Sequence, residues 1–187
     1  MSVAVAVRPV NDGPKEIRSI VSDAIDPIVR KIDREGHYPE GALRELGKAG
    51  AFSRHAVQSP STGLPAAIAD MATISEVCMS TGFCTWCQDA LVWYLASSEN
   101  TGLRKRLLDR VAGGEQLGGT GLSNPMKSFS GIEKLALRGE KVSGGYQVSG
   151  RLPWVSNIGP NNIFAAIFEL SDGRRVMSVV NANASGV

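Results

Sequence analysis

The chain has 187 residues, 43% of them hydrophobic and 20% charged, which is enough to bury the core of one large or two small domains. A formal charge of +2, with basic residues mixed among acids in "RKIDRE" and "LRKRLLDR", argues against a nucleic-acid partner or an anionic membrane surface. No apolar run reaches the roughly 18 residues of a membrane span, and "MSVAVAVRPVNDG" lacks the basic flank of a signal peptide, so residues 1–13 read as a flexible terminus.

From Pro14 to about Arg34, apolar residues recur at Ile17, Ile20, Val21, Ala24, Ile25, Ile28, Val29 and Ile32, the three-and-four spacing of one buried helix face. Pro27 removes a backbone donor and is expected to kink or divide this helix. A second helix is expected over Glu40 to Ala49, opened after Pro39 and stopped by Gly50. "LPAAIADMATISEVCMSTGFCTWCQDALVWYLASS" is apolar nearly all round and predicts two buried helices, 65–80 and 83–98, broken at Gly82. A fifth helix is expected from Asn100 or Thr101 to Gly113.

Cys78, Cys84 and Cys87 lie in that apolar stretch, and Cys84 and Cys87 make a C-x-x-C. A zinc site would need two further ligands, and His37 and His55 are far away without ligand spacing. Buried reduced thiols are the simpler reading, and they point to a cytoplasmic location.

After Gly118 the pattern changes to short β-prone runs punctuated by glycine pairs. Gly144-Gly145 is expected as a hairpin turn, and "NIFAAIFELSDGRRVMSVVNA" as two strands joined through Asp172-Gly173. Helices followed by strands, without βαβ alternation, predict an α+β chain. No Gly-rich phosphate-binding motif stands where it would need to be.

Two stretches of this second half carry candidate chemistry. "GGTGLSNPMKSFSG" sets Thr120, Leu122, Ser123 and Asn124 ahead of Pro125 and a loop, and "PWVSN" sets Trp154 beside Ser156 and Asn157 before a Gly-Pro-Asn turn. If both segments are extended, Thr120 and Leu122 share one face and Trp154 and Ser156 another, while Ser123 begins the turn. An indole beside hydroxyls suits a flat heteroaromatic ligand, with its face covered and its polar edge hydrogen-bonded. The competing reading packs Trp154 in the β core and gives the hydroxyls to the turn backbone.

In order and spacing, these pieces resemble the acyl-CoA dehydrogenase family of flavoproteins. "DPIVRKIDREGHYPEGALRELGKAGAF" is similar to the family's first helices, "GGTGLSNPMKSFSG" stands in the place of its Leu-Thr-Glu-Pro loop, "PWVSN" resembles its Trp-Ile-Thr-Asn element, and "VMSVVNANASGV" resembles a later strand. The resemblance implies FAD. It implies Trp154 against the flavin ring, Ser156 and Ser123 on its polar edge, and Thr120 and Leu122 beside them; Ser in place of Thr keeps the hydroxyl. It also implies an α-helical domain over 14–115 followed by a truncated antiparallel β domain over 116–187.

Asn124 replaces the family's acid, and "MKSFSG" replaces its Gly-Ala-Gly-Ser-Asp, which puts a CoA thioester substrate in question. The chain stops at Val187, inside the β domain, and reads as the N-terminal half of an enzyme. No Asp or Glu can be assigned as the catalytic base. The leading expectation is an FAD-dependent oxidoreductase acting on an acyl thioester or related small molecule, homo-oligomeric at full length. The alternatives are a flavin-dependent monooxygenase of the same fold and a non-catalytic interaction module.

Overall fold

Pro27 divides the first amphipathic segment, as its missing N–H requires. The computed structural model describes residues 15–57 and 60–187; the terminus 1–13 lies outside them. Helix α1 (Lys15–Ile20) runs through a π turn (Val21–Ile25) and a 3-10 turn (Asp26–Ile28) into α2 (Val29–Glu35). The Asp26 N–H reaches back five residues to the Val21 carbonyl, so the irregularity is a local rearrangement of the hydrogen-bond ladder. Ile17, Val21, Ile25 and Ile32 still share a buried face. Gly36, at φ 65°, ends α2 in the left-handed conformation. After Tyr38 and the buried Pro39 comes α3 (Glu40–Lys48), whose Ala42, Leu43 and Leu46 enter the same core.

The next helices differ from expectation in register. A single turn, α4 (Arg54–Val57), precedes α5 (Pro60–Ser75) and α6 (Met79–Ala96). The break therefore falls at 76–78, ahead of Gly82. Gly82 lies inside α6 because a Cβ there would collide with Ser75, so it serves the close approach of α5 and α6. Helix α5 starts a turn or more before Pro65, which it carries internally. The expectation that both helices are buried all round also fails. Helix α6 buries Thr81, Thr85, Gln88, Leu91, Val92 and Leu95 but leaves Met79, Phe83, Trp86 and Trp93 exposed. Helix α7 (Thr101–Ala112) begins where expected, with the Asn100 side chain accepting the Leu103 N–H.

Strands begin at β1 (Gly118–Thr120), followed by a short helix α8 (Ser123–Phe129), the hairpin β2 (Arg138–Val142) and β3 (Gly145–Ser149), then β4 (Ile163–Leu170) and β5 (Arg175–Asn181). Central β4 pairs in parallel with β1 at one end and with β2 at the other, and antiparallel with β5 along its opposite edge. The sheet is therefore mixed, not purely antiparallel, because β1 and β2 each reach β4 from a long connection that permits parallel pairing. The hairpin turn sits one residue earlier than expected. Gly144 takes φ 84° while Gly145 already pairs with Val142. Asp172-Gly173 does join β4 to β5.

Period-two alternation along β4 serves two cores. Ile163 and Ala165 meet the helices in the cluster that includes Leu91, Val92, Leu95, Val111 and Leu117. Phe164, Ala166 and Phe168 turn to the other face with Leu137 and Leu170, packed by Leu152 and Val155. Buried on both faces, β4 locks the helical half to the sheet. Among the described residues, no helix is long and apolar enough to cross a membrane.

Candidate functional site

The two stretches singled out in the sequence meet at one place. Ser156 forms an isolated antiparallel bridge with Thr120, its N–H donating to the Thr120 carbonyl at 3.2 Å. The glycines of "GGTG" permit the approach. A Cβ on Gly119 would strike the Ser156 carbonyl, and one on Gly121 would lie 2.9 Å from Leu152 and 3.1 Å from the Ala165 carbonyl. Three segments thus pack backbone to backbone where a side chain would separate them.

Neither stretch is extended for long. Thr120 is buried and its Oγ1 accepts the Leu122 N–H at 3.2 Å, which winds the chain into α8 with Ser123 as an exposed first residue. Helix α8 replaces the expected loop after Pro125. The "PWVSN" stretch contributes only the bridging Ser156, since Pro153 has no N–H for a ladder. Leu152 and Val155 turn inward to the sheet core, while Trp154 is 69% exposed. Trp154 is therefore not a core residue, and its indole stands open to solvent two positions before the bridging Ser156.

Asn124, at the position where the resembled family carries an acid, is buried and fully engaged. Its amide donates to Glu133 Oε1 and the Lys134 carbonyl, both at 2.9 Å, and its Oδ1 accepts the Ala136 N–H at 2.8 Å. It closes the loop after α8, a structural task that a charged carboxylate could not perform with two donor bonds.

Amides hold the junction from behind. Gln88 on α6 is fully buried; it accepts the Gly118 N–H at 2.8 Å and donates to the Val111 and Gln116 carbonyls at 2.8 and 2.9 Å. Asn157 takes φ 56° and donates to the Gly118 carbonyl at 2.6 Å. Tyr38 Oη donates to Asn157 Oδ1 at 2.8 Å and accepts from Asn162 at 3.2 Å. Of these residues, only Asn157 stood out in the sequence. Gln88 was visible there as a polar residue on the apolar face of a helix; nothing local marked Tyr38.

A second polar cluster lies within the helices. Arg54 donates to Asp70 Oδ2 at 2.9 Å, and His55 Nδ1 stands 3.4 Å from Asp89 Oδ1 while its ring stacks on Trp93. Among the described residues, His55 Nε2, Asp70 Oδ1 and both Asp89 oxygens are buried without a hydrogen-bond partner. Burial, together with the nearby Asp70, pushes the Asp89 carboxyl up to about 8; burial also raises Asp70 and lowers His55.

The cysteines are free. Burial raises Cys84 to about 11 and Cys87 to about 12, so both are thiols at neutral pH. Among the described residues, no three His, Cys, Asp or Glu side chains gather as metal ligands do.

Comparison with known proteins bears on this geometry. The family model described as "acyl-CoA dehydrogenase, N-terminal domain" matches residues 14–115. Butyryl-CoA dehydrogenase from Megasphaera elsdenii superposes with a TM-score of 0.78 at 16% identity, over 96% of this chain and 50% of its own. Glutaryl-CoA dehydrogenase from Mycobacterium smegmatis superposes with a TM-score of 0.77 at 16% identity, over 98% of this chain and 48% of its own. A structure of a glutaryl-CoA dehydrogenase from that organism in complex with FADH2 gives a TM-score of 0.75 at 16% identity, over 91% and 45%. The chain thus spans about half the length of the solved structures it resembles. No curated protein matches it.

Proposed function

Because the chain belongs to the acyl-CoA dehydrogenase family, we propose that it is the flavin-holding part of an FAD-dependent oxidoreductase whose substrate is an acyl thioester or a related small molecule. The observation that carries this reading is the Thr120–Ser156 bridge with Trp154 exposed beside it. A large indole left open to water is costly for a fold and useful for a planar ligand.

FAD, when bound, supplies a ring that accepts hydride from the substrate. The chain's own part is to bind and orient that ring. Trp154 would cover one face and exclude water from it. The Ser156 hydroxyl would serve the ring's polar edge, and Ser123, exposed at the start of α8, would supply a second hydroxyl. Thr120 and Leu122 give the loop its shape through the Oγ1 to N–H bond. The residues present fit the group, since the junction offers an apolar face and two neutral hydroxyls.

Assembly as a homo-oligomer and a cytoplasmic location belong to the same proposal. The test is flavin uptake by this chain, read as visible absorbance co-eluting in gel filtration, for wild type, Trp154→Phe and Ser156→Ala. Wild type is expected to carry FAD. Loss of the Ser156 hydroxyl is expected to weaken binding by about 0.5–1.5 kcal/mol. Failure of the wild type to take up FAD, or equal retention by all three proteins, would remove the reading.

A further inference from the structure

The strand-end site is shaped by a residue from outside the sheet. Tyr38 lies in the connection between α2 and α3, and it reaches 119 positions along the chain to Asn157, the residue directly after Ser156. Asn157 is one of two non-glycine residues with positive φ among the described residues, at 56°. Left-handed backbone is unfavourable for a side-chain-bearing residue; asparagine tolerates it better than most, and hydrogen bonds to its amide can hold it there. Here both ends of that amide are held. Nδ2 donates to the Gly118 carbonyl and Oδ1 accepts from Tyr38 Oη. The Asn162 amide completes the set, donating to Tyr38 Oη and to the Asn157 carbonyl at 3.2 Å each.

We infer that Tyr38 is a positioning residue for the cofactor-facing segment: its hydroxyl fixes Asn157 in the left-handed turn and thereby sets where Ser156 and Trp154 point. The inference rests on the flavin reading for its consequence, though not for its geometry. The chain reverses at Asn157, so a rotation there swings the preceding residues, and Gly119 leaves the Ser156 carbonyl no slack on the other side. Tyr38 packs against the same loop, its ring 3.8 Å from where a Cβ on Gly159 would sit. Burial raises the Tyr38 hydroxyl to about 12, so it stays a donor across the physiological range. A phenylalanine would fill the same space without making either bond.

The experiment compares wild type, Tyr38→Phe, Asn157→Gly and the double variant of this chain by amide and indole NMR and by FAD titration. Glycine accepts φ 56° without side-chain support, so Asn157→Gly removes Tyr38's target without forcing the turn to open. Tyr38→Phe is expected to keep a cooperative melt, to move the Trp154 indole and Ser156 amide signals, and to leave the Trp93 indole in place. It is expected to weaken FAD binding about two- to tenfold, the worth of one buried hydrogen bond. In the Asn157→Gly background the same change is expected to add nothing to the FAD constant. Unmoved Trp154 and Ser156 signals, or additive losses in the double variant, would overturn the inference. Moved signals in a chain whose wild type binds no FAD would remove the flavin reading and leave the positioning of Trp154 standing.

Discussion

The junction around Asn157 and the cluster around Asp89 both bury polar side chains between elements, but they are made of different groups. At the junction Gln88, Asn157, Asn162 and Tyr38 are neutral; Gln88 and Asn157 bond at both ends of their amides, and Asn162 makes two donor bonds. The helical cluster holds one arginine, paired with Asp70, and an imidazole beside Asp89, and four buried atoms lack partners among the described residues. Neutral amides cost little to desolvate when paired, so they can fix geometry next to a ligand without introducing charge. Charged groups bind each other strongly but remain sensitive to any lost partner and to pH.

The largest effect is expected from breaking the charged cluster on one side. Arg54→Met leaves Asp70 buried without its cation and is expected to cost about 3–5 kcal/mol in chemical denaturation. Adding Asp70→Leu to that variant is expected to recover most of the loss, because the pair together adds little over a well-packed apolar replacement. A double variant as unstable as the single one would show that the cluster has a role beyond mutual neutralisation.

Gln88→Ala is the matching break in the amide network. It strands the Gly118 N–H and two carbonyls, and it is expected to cost about 3 kcal/mol, measured the same way, at one to a few kcal/mol for each lost partner. Gln88→Glu is expected to recover only the acceptor bond to Gly118.

The comparison also separates the two regions by pH. Asp89 is held near 8, above its unfolded value of 3.8. Between those values the folded chain keeps a proton that the unfolded chain releases. Stability is therefore fully present below about pH 4 and falls as pH rises through 8, by at most about 1.4 kcal/mol per pH unit for one proton. Asp70, also raised, acts in the same sense, while His55, lowered, opposes it near its usual range. Melting temperature is expected to fall from pH 5 to 8 in wild type and to flatten in Asp89→Asn. A wild-type profile that rises across that range would contradict the assignment.

Much of the helical half was legible in the sequence because Ile17, Val21, Ile25 and Ile32 advertise their face by spacing alone, and because Pro27 and Asn100 are local signals. The α5–α6 boundary was not, since a glycine that permits helix contact looks the same in sequence as one that ends a helix. Trp154, Ser156, Thr120 and Ser123 could be picked out, and the structure joins Thr120 to Ser156 and exposes Trp154. Whether each of them touches a cofactor is the proposal. Tyr38 was invisible because its partner lies in another part of the chain, and long-range hydrogen bonds leave no periodic trace. Parallel pairing of β1 and β2 with β4 was missed for the same reason, as pairing direction depends on contacts distant in sequence.

FAD is proposed to seat on the Thr120–Ser156 junction. Hydrogen exchange of this chain with and without FAD tests it most directly, because protection is read along the backbone and needs no activity. Added protection is expected over residues 119–123 and 154–157, with little change in α5 or at Asp89. Protection that falls on other segments, or an exchange pattern that FAD does not alter, would contradict it.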